Sequence, residues 1–319
     1  MRIGLPVLLI LVAVLAVPLR AATTFSVPQM GLPDPLLLIA YGDMRFTSSS
    51  ESGASSPPAR QALVARIAAE NPAAIFISGD VPWHGVDADY KVYRSETRRW
   101  RRQHLRVYPA LGNHEFSACE ASICLERWWD TFTPLRGRRW YSVAIGDKIV
   151  AIALDSDASL LPGSDQRLWF EDQVAALDPK VRVVLIIMHH PPVADVQSSK
   201  LTDHNPRPNE QSLAAYLKTA AAGAVARFVV SAGHIHNYER FLQDGVVYLV
   251  SGGGGAFPYE VERTASDLYQ NADFPNYHYV RFTLQGLTLR GEMIRLRDYA
   301  EEHPRAWQTK DRFEINLQP

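Results

Sequence analysis

Five short polar clusters each close an apolar run, and this pairing limits what the chain can fold into. The clusters are Gly42-Asp43-Met44-Arg45, Gly79-Asp80, Gly112-Asn113-His114-Glu115, His189-His190-Pro191-Pro192 and Gly233-His234-Ile235-His236. The runs before them, 36–41, 73–78, 105–111, 181–188 and 228–232, show β-branched enrichment and little polar alternation. Such runs read as buried strands. At a strand's end the chain must turn, and glycine permits a backbone that aims the next side chain into a shared crevice. Carboxylate, amide and imidazole groups then converge. Asp and Asn offer oxygen and His offers nitrogen, a mixed set that suits zinc, manganese, iron or cobalt better than calcium.

Helical patterns over 58–70, 87–102, 125–132, 165–177 and 210–221 alternate with the strands, which predicts a layered α/β protein. Further strands are expected over 140–145, 149–154, 246–250, 279–284 and 287–295, the last two joined as a hairpin at Gln285-Gly286. Three stretches read as irregular: 47–57, 194–209 and 252–264. Loops of this kind beside an active site select substrate. No internal repeat is visible.

In order and spelling, the five clusters resemble the calcineurin-like metallophosphoesterase superfamily over roughly residues 36–290. The last of them, read through Gly233-His234-Ile235-His236-Asn237-Tyr238-Glu239-Arg240, is most similar to the purple acid phosphatase branch. The resemblance implies an α/β/β/α four-layer sandwich with two mixed β-sheets. It also implies two divalent or trivalent metal ions, iron, zinc or manganese, sharing Asp80 as a bridge. Asp43 and His236 would complete one ion's protein ligands, and Asn113, His189 and His234 the other's. His189 is expected as the ligand rather than His190, because successive strand residues point oppositely and only one should face the metals. Asp80 and His114 would be the catalytic residues, with His114 reaching the scissile phosphate. Arg45, Asn113 and His114 would contact substrate. Glu115 either orients His114 or holds the loop. The implied reaction is in-line attack on phosphorus by a metal-bound hydroxide without a phosphoenzyme.

Two positions depart from the pattern. Arg45 stands where many members place a His ligand, and Trp83 stands where purple acid phosphatases place a Tyr ligand. Indole cannot replace phenolate, so the ion at Asp43, Asp80 and His236 is expected to be held more weakly. Arg45 has two open readings: a fork onto two phosphate oxygens, or a salt bridge to Glu239 or an aspartate. His84 reads as a loop residue with a possible substrate contact.

The N-terminus reads as a secretory signal over residues 1–22, with Met1-Arg2, an apolar stretch and Ala21-Ala22. Residues 23–319 then form a single domain, secreted or periplasmic, with no stable membrane span after cleavage. In an oxidising compartment Cys119 and Cys124, the only two cysteines, are expected to form a disulfide. A formal charge of -1 gives no general attraction for nucleic acid, so Arg94, Arg98, Arg99, Arg101 and Arg102 read as a solvated helix face. Trp128, Trp129, Trp140 and Trp169 read as packing residues. His204 and His278 lack partners at ligand spacing, and Tyr238, Glu239 and Arg240 read as holding the turn before them. Gly252 to Gly255 lack the Lys and Ser/Thr of a nucleotide P-loop. The expected function is an exported phosphoesterase acting on a small phosphate ester, a monoesterase first. The alternatives are a phosphodiesterase on cyclic nucleotides or glycerophosphodiesters, and a catalytically impaired protein that binds phosphate ligands.

Overall fold

The structure, a computed structural model, describes residues 23–48, 50, 51, 53–297 and 306–318. The expected export segment, 1–22, lies outside the described residues. In chain order the strands are β1 (Phe25–Val27), β2 (Leu36–Tyr41), β3 (Ala74–Ile77), β4 (Val107–Pro109), β5 (Tyr141–Ile145), β6 (Ile149–Ala153), β7 (Val183–Ile187), β8 (Arg227–Ala232), β9 (Tyr238–Gln243), β10 (Val246–Ser251), β11 (His278–Gln285), β12 (Thr288–Leu296) and β13 (Trp307–Asn316). The α-helices are α1 (Pro57–Glu70), α2 (Asp87–Glu96), α3 (Arg98–Arg102), α4 (Ala121–Thr131), α5 (Asp165–Ala175) and α6 (Pro208–Ala222).

One sheet has the order β1-β5-β6-β7-β8-β10-β9 and the other β13-β12-β11-β2-β3-β4. Both are mixed: β6, β7, β8 and β10 run parallel in the first and β2, β3 and β4 in the second, with antiparallel strands beside them. Two apolar cores explain the unalternated runs. Val183, Leu185 and Ile187 of β7 face a core shared with Ile39, Phe76 and Phe282 of the other sheet. Val184 and Ile186 face a second core with Phe170 of α5 and with Leu213 and Leu217 of α6. A strand buried on both faces must be apolar at every position. On the far side, α1 and α3 cover the six-stranded sheet: Trp100 donates from Nε1 to the Val64 carbonyl at 3.0 Å and sets its ring against Tyr41. The layered arrangement with helices outside two mixed sheets is the one expected.

The helix starts follow local chemistry. Ser56 caps α1 by accepting the Ala59 N–H, Pro57 opens the helix, and Asn71 ends it in the left-handed region at φ 51°. The single helix expected over 87–102 is instead two, α2 and α3, parted at Thr97. The Thr97 hydroxyl bonds back to the Tyr93 carbonyl at 2.6 Å, competing with the helical ladder, and Trp100 turns inward. Three strands had no apolar signal to announce them: β1 is short, β9 follows directly on the last polar cluster, and β13 is an edge strand that alternates partly buried with exposed polar residues. Tyr238, Glu239 and Arg240 therefore begin β9 rather than merely bracing a turn.

The two sheets meet at the end where β2, β3, β4, β7 and β8 deliver their polar clusters. Gly42 donates to the Ser251 carbonyl at 3.0 Å, and His189 donates from Nδ1 to the Ser78 carbonyl at 2.9 Å, both crossing from one sheet to the other. Among the described residues no helix is long and apolar enough to cross a membrane.

Candidate metal centre

The turns that end these strands are unusual in conformation. Asp43, Arg45, Asp80 and His234 all sit at positive φ, 62°, 49°, 53° and 71°. For non-glycine residues this region costs on the order of 1 kcal/mol or more, and it persists only where surrounding structure fixes it. Here backbone bonds do so: Asp43 N–H donates to the Gly79 carbonyl at 3.1 Å, Arg45 N–H to the Asp80 carbonyl at 3.0 Å, and Phe46 N–H to the Val81 carbonyl at 2.8 Å. The first two polar clusters are thus laced together. Gly112 is required by proximity, since a Cβ there would lie 2.5 Å from Asp80 Oδ1 and 2.9 Å from the His189 ring.

Two groups of donor atoms result, Asp43 with Asp80 and His236, and His189 with His190 and His234, each with its atoms within 4.8 Å of one another. Asn113 joins the second, its Oδ1 lying 2.9 Å from His189 Nε2. Asp80 stands between the groups: Oδ1 is 3.3 Å from His189 Nε2, while Oδ2 faces Arg45 at 3.3 Å and His114 Nε2 at 3.8 Å. His234 ties both together, its backbone N–H shared between the two Asp43 oxygens at 3.1 Å and its Nδ1 lying 3.2 Å from His189 Nε2.

These residues fit a metal. A carbonyl can only accept, so the bonds from His189 Nδ1 to Ser78 and from His236 Nδ1 to Phe257, both 2.9 Å, leave each Nε2 as an inward lone pair. His236 Nε2 is buried without a hydrogen-bond partner among the described residues and lies 3.6 Å from Asp43 Oδ1. Burial lowers the pKa of His189, His234 and His236, which keeps the imidazoles neutral, the form that ligates. Burial also raises the Asp43 pKa, helped by the Asp80 charge. For Asp80 burial is outweighed by His189 and His114 in their protonated forms and by the permanent charge of Arg45, and its carboxyl is held below the usual range.

The site rim is distinct from its floor. Asp43, Asp80 and His189 are fully buried, whereas Arg45 and His114 keep 14% and 15% of their side chains exposed, so the latter two can meet a ligand from solvent. His114 is aimed by the Trp83 carbonyl, 2.6 Å from Nδ1, and by stacking on the Trp83 ring at 4.7 Å. Glu115 does not orient it. Its carboxylate instead accepts the N–H groups of Asp80, Val81 and Gly112 at 3.0, 2.9 and 2.8 Å, holding the loop. Of the two readings of Arg45, the structure contains the salt bridge, and its partner is Asp80 rather than Glu239. His84 bonds Ser117 Oγ at 3.0 Å. The disulfide Cys119–Cys124 forms beside this rim, with Cys119 Sγ 3.1 Å from the Gly85 carbonyl.

Strand alternation does not separate His189 from His190. β7 ends at Ile187, the alternating rule ends with it, and both rings lie beside His234, at 5.0 and 4.2 Å. His190 Nδ1 is 2.8 Å from Ser156 Oγ, and burial drives its pKa down to about 2. His204, without a partner at ligand spacing in the sequence, lies against His234, the ring centroids 4.6 Å apart and tilted by 32°. Tyr259 carries no motif signal, yet its hydroxyl donates to the His234 carbonyl at 3.0 Å and its ring lies 4.9 Å from that of His236. Both come from the irregular stretches, which are fastened together by Glu262 on Gln197, Ser198 and Ser199 and by Thr264 on Asp195. No local pattern marks such residues, because only the tertiary crossing of two loops brings them in. His278 is buried away from the cluster between Ser251 and Asn276.

The model of the calcineurin-like phosphoesterase family matches residues 38–238, a span that holds every donor described above. The chain belongs to the calcineurin-like phosphoesterase family. Among solved structures, this chain is similar to a purple acid phosphatase from yellow lupin (Lupinus luteus) seeds, with a TM-score of 0.70 and 17% identity, over 91% of this chain and 55% of that one. It thus spans about half the length of the lupin enzyme. GAP50, the anchor in the inner membrane complex of Plasmodium, superposes with a TM-score of 0.61 at 12% identity over 90% of each chain. A dimetal phosphatase from Danio rerio gives 0.58 at 13% identity, over 88% of this chain and 100% of that chain. At such identities these likenesses show a common fold. No curated protein matches its sequence.

Proposed function

We propose that this chain is an exported enzyme that hydrolyses small phosphate monoesters at a two-ion centre, with residues 23–319 as one domain. One observation carries the reading: Asp43, Asp80, Asn113, His189, His234 and His236 turn their donor atoms into one crevice, while Arg45 and His114 line its mouth. Asp80 would bridge, Asp43 and His236 would hold one ion, and Asn113, His189 and His234 the other. Two bound ions of iron, zinc or manganese would supply Lewis acidity toward the phosphoryl oxygens and an activated water. Arg45, once released from Asp80, and the Asn113 amide would orient the phosphate. Burial lowers the His114 pKa, so His114 would act in the fraction that carries a proton on Nε2, donating it to the developing charge or passing it to the leaving oxygen, while the Trp83 carbonyl keeps Nδ1 protonated. Export rests on the apolar N-terminal segment and agrees with the disulfide.

The test is hydrolysis of an aryl phosphate monoester and the matching diester by protein of measured metal content. Faster turnover of the monoester by metal-loaded protein supports the proposal. Preference for the diester would make it a phosphodiesterase, and phosphate binding without turnover of either would make it a binding protein.

A further inference from the structure

Arg45 is built into its place from several sides. Its backbone N–H is bonded to the Asp80 carbonyl at 3.0 Å, its own carbonyl accepts from Ser55 Oγ and Arg60 Nη1 at 3.1 Å each, and its φ of 49° turns the side chain into the crevice. The guanidinium lies 5.1 Å from the centroid of the Trp83 ring. From there Nε and Nη2 both reach Asp80 Oδ2, at 3.4 and 3.3 Å. Asp80 Oδ1, by contrast, faces His189 Nε2 and the His114 backbone N–H. The two oxygens of the proposed bridge are therefore in unequal surroundings.

A permanent positive charge beside Oδ2 repels a second cation placed among Asp43, Asp80 and His236, and it also occupies lone pairs that such a cation needs. We propose that Arg45, seated on Trp83, is an internal cation that competes with the ion at Asp43, Asp80 and His236, making that site the exchangeable one. The inference rests on the two-ion reading above. When that ion enters, Arg45 gives up Oδ2 and is freed for substrate phosphate. Binding of the second ion and of phosphate is then mutually favourable, since linkage acts equally in both directions.

The experiment is a calorimetric titration of the chelator-stripped full chain with Mn²⁺, repeated with orthophosphate present, on the parent, Arg45→Met and Arg45→Lys. The parent should bind one ion tightly and a second more weakly. Loss of a charge-assisted bond to Asp80 should tighten the second ion about tenfold to a hundredfold in Arg45→Met and leave the first unchanged. Arg45→Lys, which keeps charge without the fork and guards against misfolding of the Met variant, should fall between. Orthophosphate should strengthen the parent's second ion, and that gain should shrink in Arg45→Met. Two equal ions in the parent, or a second ion untouched by either substitution, overturns the competition while leaving the two-ion centre standing. Absence of any bound ion in all three proteins overturns both.

Discussion

Glu115 accepts the backbone N–H of Asp80 at 3.0 Å, and the same oxygen takes that of Gly112 at 2.8 Å. One buried carboxylate therefore joins the turn carrying the proposed bridging ligand to the turn carrying Asn113 and His114. Removing it strands three buried N–H groups, so Glu115→Ala should cost roughly 3 kcal/mol or more. Urea unfolding of metal-free protein reads this without any catalysis. A loss near zero would mean that other contacts hold the two turns.

Asp80→Ala should abolish paired metal binding and turnover together, because the bridge also screens two neighbouring cations. Metal analysis of the purified variant checks it. Two ions retained in Asp80→Ala would remove the bridging role.

His114→Ala should keep both ions and lose turnover by about a hundredfold or more, the usual effect of a lost proton donor or charge stabiliser. Its imidazole lies 3.8 Å from Asp80 Oδ2 but belongs to neither donor group. Loss of an ion in this variant would make His114 a ligand.

Glu239 gives a pH signature separate from the metals. Burial pushes its pKa up to about 8, from an ordinary value of 4.5. Between these two values the folded chain holds a proton that the unfolded chain has released, so Glu239 lowers stability as pH rises through that window. Glu239→Gln cannot titrate. Its melting temperature should match the parent's near pH 4.5 and exceed it near pH 8.5, by an amount set by roughly 1.4 kcal/mol per pKa unit. Parallel melting curves across the range would show that Glu239 is ionised in the fold.

How much of this was legible beforehand depended on whether the signal was local. The runs ending at Asp43, Asp80, His189 and His234 announced themselves because strands buried on both faces must be continuously apolar, whereas the run before Asn113 ends in the edge strand β4, with Val107 and Tyr108 only partly buried. Strand β13 did not, because an edge strand with one face toward solvent alternates and reads as polar. The split at Thr97 depends on a hydroxyl bonding back to Tyr93, which periodicity does not register. Within the site, the family spelling supplied the candidate ligand positions, whereas the neighbours of His234 came from tertiary folding. His204 and Tyr259 arrive on two loops that lack any repeat, and His190 joins the cluster because β7 has already ended.

The most direct test is anomalous diffraction from crystals grown with Mn²⁺. Two peaks are predicted, both in contact with Asp80, one completed by Asp43 and His236 and the other by Asn113, His189 and His234. Peaks that do not touch Asp80, or a folded protein that shows none in the crevice, would contradict the account.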